Sequence, residues 1–209
     1  MSDEYLKNNY VYYINHQYKY IWYLVPKVGS RSLLYWLLSE EYLSKHKDGN
    51  LNENFKNISS EYHHKYHTFS FCRNPFDRLV SVYFDKILLT VPLMNPKNKR
   101  TKLEFYERWK DKSFKEFAND VCDMPNKNIT DNHLLPQIYF IPENIDFLGR
   151  FENLQNDFVS VTKKLFEKQF DNRKWNVSQH DHYSEYYDKN LKDKVYQKYK
   201  KDFKRFEYE

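Results

Sequence analysis

The sequence predicts an α/β fold, a parallel β-sheet flanked by helices. Three observations carry that expectation. Residues 20–25, Tyr-Ile-Trp-Tyr-Leu-Val, are nearly all apolar, as strands buried on both faces are. Residues 68–72, Thr-Phe-Ser-Phe-Cys, form a second such run. Each run is followed by a proline-containing turn and then by a stretch with helical apolar spacing. Strand, turn and helix repeated in that order imply parallel strands with helical crossovers.

The elements follow in chain order. Residues 11–14 are β-branched and aromatic, and Asn15-His16-Gln17 separates them from 20–25, which predicts a hairpin or an edge strand leading into a central one. Pro26 ends the second strand. Ser30 is placed to N-cap a helix whose apolar positions are Leu33, Leu34, Trp36, Leu37 and Leu38. Residues 45–57 are polar and predict a loop, and Ser59-Ser60-Glu61 opens a short helix through Tyr66. Arg73-Asn74-Pro75 turns the chain into a helix over 76–89, with Leu79, Val80, Tyr83 and Ile87 on one face. Residues 92–102 are basic and rich in Pro and Asn, the mark of a surface insertion, and with the residues around them they predict a lid at 91–112. A small helix starts over 113–122, and residues 133–140 are apolar-periodic but interrupted by Pro136. Residues 145–148 predict a third strand, ended by Gly149. Residues 153–170 form an amphipathic helix with Phe158, Val161, Leu165 and Phe166 inward, and 189–206 a second, highly charged one. No internal repeat or separating linker interrupts the chain, so residues 1–209 predict one domain.

Composition narrows the class. Aromatic residues make up 19% of the chain, with 20 Tyr and 16 Phe, so the core is expected to be built on rings. The formal net charge is +5, which favours an anionic ligand only mildly, since a solvated Lys-rich surface gives the same figure. Cys72 and Cys122 are too few for a disulfide scaffold and lack metal-like spacing, and Cys72 in its apolar run predicts a buried, reduced thiol. The start, Met1-Ser2-Asp3-Glu4, is polar and acidic without an apolar signal core, and no stretch approaches the roughly 20 apolar residues of a membrane span. A cytoplasmic protein is expected, and the sequons at Asn57, Asn128 and Asn176 are read as chance.

The chemistry concentrates at two strand ends. Pro26-Lys27-Val28-Gly29-Ser30-Arg31-Ser32 follows a buried strand and opens a helix. Main-chain N–H groups at a helix N-terminus point at an anion, a glycine lets the backbone approach closely, hydroxyls donate and a lysine adds a point charge. In the nucleotide P-loop the lysine comes after the glycines. Here Lys27 precedes Gly29, which argues against an ATPase or GTPase loop. The second segment, Arg73-Asn74-Pro75-Phe76-Asp77-Arg78-Leu79-Val80-Ser81-Val82-Tyr83, follows the other strand. Its Arg73 carries a planar fork suited to a terminal phosphate, and Ser81 stands two turns into the helix. Arg78 is expected to be structural, in an ion pair.

These two segments resemble the carbohydrate sulfotransferases of the type 2 group, which include the chondroitin, dermatan and HNK-1 enzymes. The first is similar to that family's 5′-phosphosulfate motif and the second to its 3′-phosphate motif. Asn132-His133-Leu134-Leu135-Pro136-Gln137 is similar to the family's His-Trp-x-Pro-Gln stretch. Phe147-Leu148-Gly149-Arg150-Phe151-Glu152-Asn153-Leu154 is similar to its Ile-Gly-x-x-Glu-x-Leu stretch, and residues 199–208 resemble its C-terminal helix. The family pattern has Thr where Arg31 stands and Trp where Leu134 stands.

The resemblance implies a P-loop-like sulfotransferase fold. It implies 3′-phosphoadenosine-5′-phosphosulfate (PAPS) as donor, held at Lys27, Val28, Gly29, Ser30, Arg31 and Ser32, with Arg73 and Ser81 on the 3′-phosphate. Lys27 would act catalytically and no metal would be needed. The acceptor would be a glycan or glycolipid hydroxyl, with no nucleic acid and no membrane span involved. Without the Golgi anchor and stem, a bacterial or viral enzyme is implied. His133 is the favoured general base; His63, His64 and the carboxylate of Glu152 are alternatives, and His67, at the far end of its strand from Arg73, is read as structural. A P-loop-like nucleotide phosphotransferase or kinase and a basic nucleic-acid-binding module are the competing readings. Neither accounts for the four ordered segments.

Overall fold

The computed structural model describes residues 12–37, 64–88, 99–166 and 180–209. Along the chain these contain β1 (Tyr12–Asn15), β2 (Tyr20–Tyr23), α1 (Ser30–Leu37), β3 (His67–Cys72) and α2 (Pro75–Tyr83), which runs on into a π-helical turn, Phe84–Leu88. Then come α3 (Lys99–Trp109), α4 (Phe114–Asp123), β4 (Phe147–Arg150), α5 (Leu154–Phe166), α6 (Lys189–Lys198) and α7 (Lys200–Phe206). The chain divides into two compact units: residues 2–73 with 137–176, and residues 74–136 with 177–209.

The first unit holds the sheet, ordered β1-β2-β3-β4. β1 and β2 form the antiparallel hairpin that the aromatic runs around Asn15-His16-Gln17 predict, with Tyr13 opposite Trp22. β2, β3 and β4 are parallel. The expected core of rings is present: Tyr20, Trp22, Tyr23, Phe69 and Phe71 are fully buried. Trp22 and Phe69 are partners in the β2–β3 register and stack with centroids 6.0 Å apart and planes 2° from parallel. Ser70, the next residue of β3 and also buried, is satisfied by donating to the Tyr23 carbonyl at 2.7 Å. Gly149 does not end the third strand; it lies inside β4, opposite Phe71. A Cβ built on Gly149 would lie 2.3 Å from the Phe71 ring, so glycine is the residue that lets this ring cross the neighbouring strand.

The second unit is helical. Asn74 caps α2 by accepting from the Phe76 N–H, and Pro75 fills the first turn, where its missing N–H costs nothing. Phe76 then packs against Tyr183, Tyr187 and Phe203. Ser113 and Glu116 form a capping box at the start of α4. The long C-terminal helix expected over 189–206 is two helices. Tyr199 leaves helical geometry with φ −106 and ψ 21, and its buried hydroxyl donates to the Leu134 carbonyl at 2.8 Å. Part of the expected surface insertion is helix α3; residues 92–98 lie outside the described residues, as do the loop expected over 45–57, the start of the short helix expected at 59–66, and the end of the helix expected to reach 170. No helix among the described residues is long and apolar enough to cross a membrane.

Candidate active site

The turn between β2 and α1 carries the chain into a helix N-terminus. Lys27 and Gly29 both take the left-handed conformation, with φ 71 and φ 79. The Gly29 carbonyl accepts from the Ser32 N–H at 2.9 Å and the Leu33 N–H at 3.1 Å, so Gly29, rather than the expected Ser30, holds the N-cap position. A Cβ on Gly29 would approach Leu154 Cδ2 to 2.9 Å and the Phe151 ring to 3.4 Å. The turn is therefore seated on the segment that follows β4. Ser30 does something else with its hydroxyl, donating back to the Val25 carbonyl at 2.7 Å and tying the turn to the end of the strand. What Ser30 offers an anion in this arrangement is its main-chain N–H, which has no acceptor within the helix. The Val28 side chain is fully buried, so Val28 too can contribute only main chain. Arg31 and Ser32 fall in the first turn of α1.

Arg73, directly after β3, is brought to this turn. Its guanidinium donates from Nη1 to the Lys27 carbonyl at 3.0 Å and lies over the Phe151 ring at 3.9 Å from its centre. Arg73 is 4% exposed. Stacking on an aromatic face holds the plane of the fork. Its main chain is held by Gln137, which accepts from the Arg73 N–H at 3.0 Å and donates to the Arg73 carbonyl at 2.8 Å.

The other predicted residues belong to the helical unit. Ser81 lies on α2 and is buried. His133 sits in the turn before Pro136, about a third exposed, with Nδ1 2.5 Å from Asp131 Oδ1. The same oxygen accepts the His133 main-chain N–H at 2.8 Å, so one carboxylate fixes both backbone and ring. With Nδ1–H given to a carboxylate, the neutral ring carries its lone pair on Nε2. Burial holds the His133 pKa below its ordinary value, opposed by Asp131 and reinforced by Lys86 and Arg78. For Asp131, burial alone would raise the pKa, but the bonds to His133 and the charge of Lys86 bring it down to about 2. The pair lines a cavity of about 750 Å³ that also presents Lys86, Glu104 and Arg108. Leu134 is buried, and its carbonyl receives the Tyr199 hydroxyl.

His64 is exposed in a short helical stretch, and His63 lies outside the described residues. His67 begins β3, at the end of the strand opposite Arg73, with Nδ1 3.5 Å from Asp146. Glu152 is exposed. Arg78, expected in an ion pair, is buried and donates to the Leu135 carbonyl at 2.9 Å. Cys72 is buried as a free thiol. No cluster of three or more His, Cys, Asp or Glu fit to hold a metal occurs among the described residues.

Sequence reasoning passed over three contributors: Gln137, Phe151 and Asp131. The first two stand in segments singled out for other reasons, and nothing in their spacing displays a bond to Arg73 or a ring beneath it. Asp131 has a local signal, a carboxylate two residues before a histidine, a spacing that lets one side chain reach both the N–H and the ring.

The family model described as the sulfotransferase family matches residues 10–209 of the chain. No curated protein matches it, and no solved structure does.

Proposed function

The chain belongs to the sulfotransferase family, and from that premise we propose that it transfers a sulfuryl group from PAPS to a carbohydrate hydroxyl, releasing adenosine 3′,5′-bisphosphate. One observation carries the donor assignment: the Arg73 guanidinium bonded to the Lys27 carbonyl at 3.0 Å. A left-handed turn at a helix N-terminus and a buried, oriented arginine at the next strand end suit a ligand with anionic groups at two points. PAPS carries a 5′-phosphosulfate and a 3′-phosphate.

In this reading the acceptor oxygen forms a bond to sulfur as the bond from sulfur to the bridging oxygen breaks. Negative charge then grows on the bridging oxygen, and the Lys27 ammonium offsets it, an effect largest in the transition state. The main-chain N–H groups of residues 28–32 hold the phosphosulfate at the positive end of α1. Arg73, with Ser81 by resemblance, selects the 3′-phosphate and so PAPS over ATP. His133 takes the acceptor proton at Nε2, and Asp131 holds the tautomer that leaves Nε2 free to do so. A glycan or glycolipid acceptor follows from the resemblance.

The test is transfer from radiolabelled PAPS to a panel of glycans by the full chain. Lys27→Ala should lower transfer by about 10²–10³-fold, the scale of losing one transition-state donor, with an unchanged circular dichroism spectrum. Transfer within a few-fold of the unaltered chain would remove Lys27 from the chemistry.

A further inference from the structure

The β3–β4 pairing stops at Cys72 and Arg150. Arg73, the next residue, is buried, and its main-chain N–H and carbonyl still need partners. Gln137 supplies both. It is itself fully buried, begins the 3₁₀ turn Gln137–Tyr139, and its side-chain amide pairs with Arg73 much as a neighbouring strand would: Oε1 accepts from the N–H at 3.0 Å and Nε2 donates to the carbonyl at 2.8 Å. Either group alone could be satisfied by one hydroxyl or a water. An amide that takes both at once fixes the peptide plane and the position of Arg73 Cα.

That position matters because of what the side chain does. The guanidinium rests on Phe151 and meets the Lys27 carbonyl, and Phe151 also walls Gly29. Bidentate recognition of a phosphate depends on the direction of a planar fork, and a displacement of about 1 Å is enough to lose it. We propose that Gln137 is a positioning residue of the donor site: bonded to both main-chain groups of Arg73, it aims the Arg73 guanidinium and thereby sets the preference for a nucleotide bearing a 3′-phosphate. The inference rests on the assignment of Arg73 to that phosphate.

Two ligands test it on the full chain by titration calorimetry: adenosine 3′,5′-bisphosphate and adenosine 5′-monophosphate, which lacks only the 3′-phosphate. Gln137→Met, similar in length and unable to make either bond, should weaken bisphosphate binding by about tenfold or more, the scale of one charge-assisted contact, and leave monophosphate binding within about twofold. If Gln137→Met does not fold, as judged by circular dichroism, Gln137→Glu is read in its place. It keeps an acceptor for the Arg73 N–H and loses the donor to the Arg73 carbonyl. Equal weakening for both ligands, or none for either, overturns the proposal, since a general structural role would not distinguish them. Arg73→Ala separates the two levels. If it abolishes the bisphosphate preference while the Gln137 variant keeps it, positioning by Gln137 is wrong and the donor assignment stands. If Arg73→Ala keeps the preference, the donor assignment falls and the role of Gln137 falls with it.

Discussion

The turn of residues 27–32 and the Asp131–His133 pair present their chemistry in opposite ways. The turn works through its main chain: two left-handed residues, a glycine carbonyl capping the helix, a serine hydroxyl turned back to the strand, and an arginine held by its own backbone. The pair, in the role proposed for it, would work through protonation, with a carboxylate fixing one ring nitrogen beside a cavity. Main-chain geometry is costly to disturb and rigid, and protonation is cheap to shift with pH. Damage to the turn's backbone, as distinct from loss of the Lys27 ammonium, should therefore appear as lost binding or lost stability, and damage to the pair as lost rate and an altered pH profile.

The largest effect expected from this contrast is at His133. His133→Ala should lower kcat by about 10²–10⁴-fold, the range for removal of a general base, with little change in affinity for adenosine 3′,5′-bisphosphate. A rate within a few-fold of the unaltered chain would remove His133 as base and leave the cavity without a catalytic role.

A smaller effect is expected at Asp131, and its sign follows from the charges. Burial holds the His133 pKa below 6.5, Asp131 raises it, and Lys86 and Arg78 lower it. The base form therefore persists as pH falls past 6.5, and the acid limb of kcat/KM should lie below that value. Asp131→Asn keeps an oxygen for Nδ1–H but removes the charge that favours imidazolium. The limb should move to still lower pH, with kcat down about tenfold, less than for loss of the base itself. A limb that stays in place would show that another group controls the rate.

The smallest effect is on stability, at Gly29. Alanine there must adopt φ 79 and bring its Cβ to 2.9 Å from Leu154 Cδ2. The left-handed conformation costs about 1–2 kcal/mol for a residue with a Cβ, which for a chain of this size lowers Tm by about 2–8 °C. A Tm unchanged in scanning calorimetry would mean that the turn relaxes without cost, and the contrast between the two regions would lose its physical basis.

The same contrast explains what could be read from the sequence. The strands were legible because runs such as Tyr20-Ile21-Trp22-Tyr23 and Phe69-Ser70-Phe71-Cys72 have one favourable use, burial on both faces of a sheet. The turn was legible because few residue types suit such a backbone in that order. Gly149 reads as a strand end because glycine usually marks one, whereas in the fold it makes room for the Phe71 ring from a strand far away in sequence. Ser30 is the expected cap of α1, but Gly29 holds that position and the Ser30 hydroxyl serves Val25. The break at Tyr199 and the bonds of Gln137 to Arg73 depend on partners 65 and 64 residues away, and no local periodicity registers contacts of that span. Asp131 was one carboxylate among 29 acidic residues until its distance to His133 set it apart.

Lys27 combines a left-handed backbone with a long charged side chain. Glycine would be the more comfortable occupant of φ 71, by about 1 kcal/mol or more. A sequence shaped for folding alone would drift to glycine here, whereas the proposed chemistry needs the cation. With the role proposed for Lys27, the turn is a point where foldability and reactivity compete for one position, and stabilising replacements sought without regard to turnover would converge on the residue that removes the proposed catalytic cation.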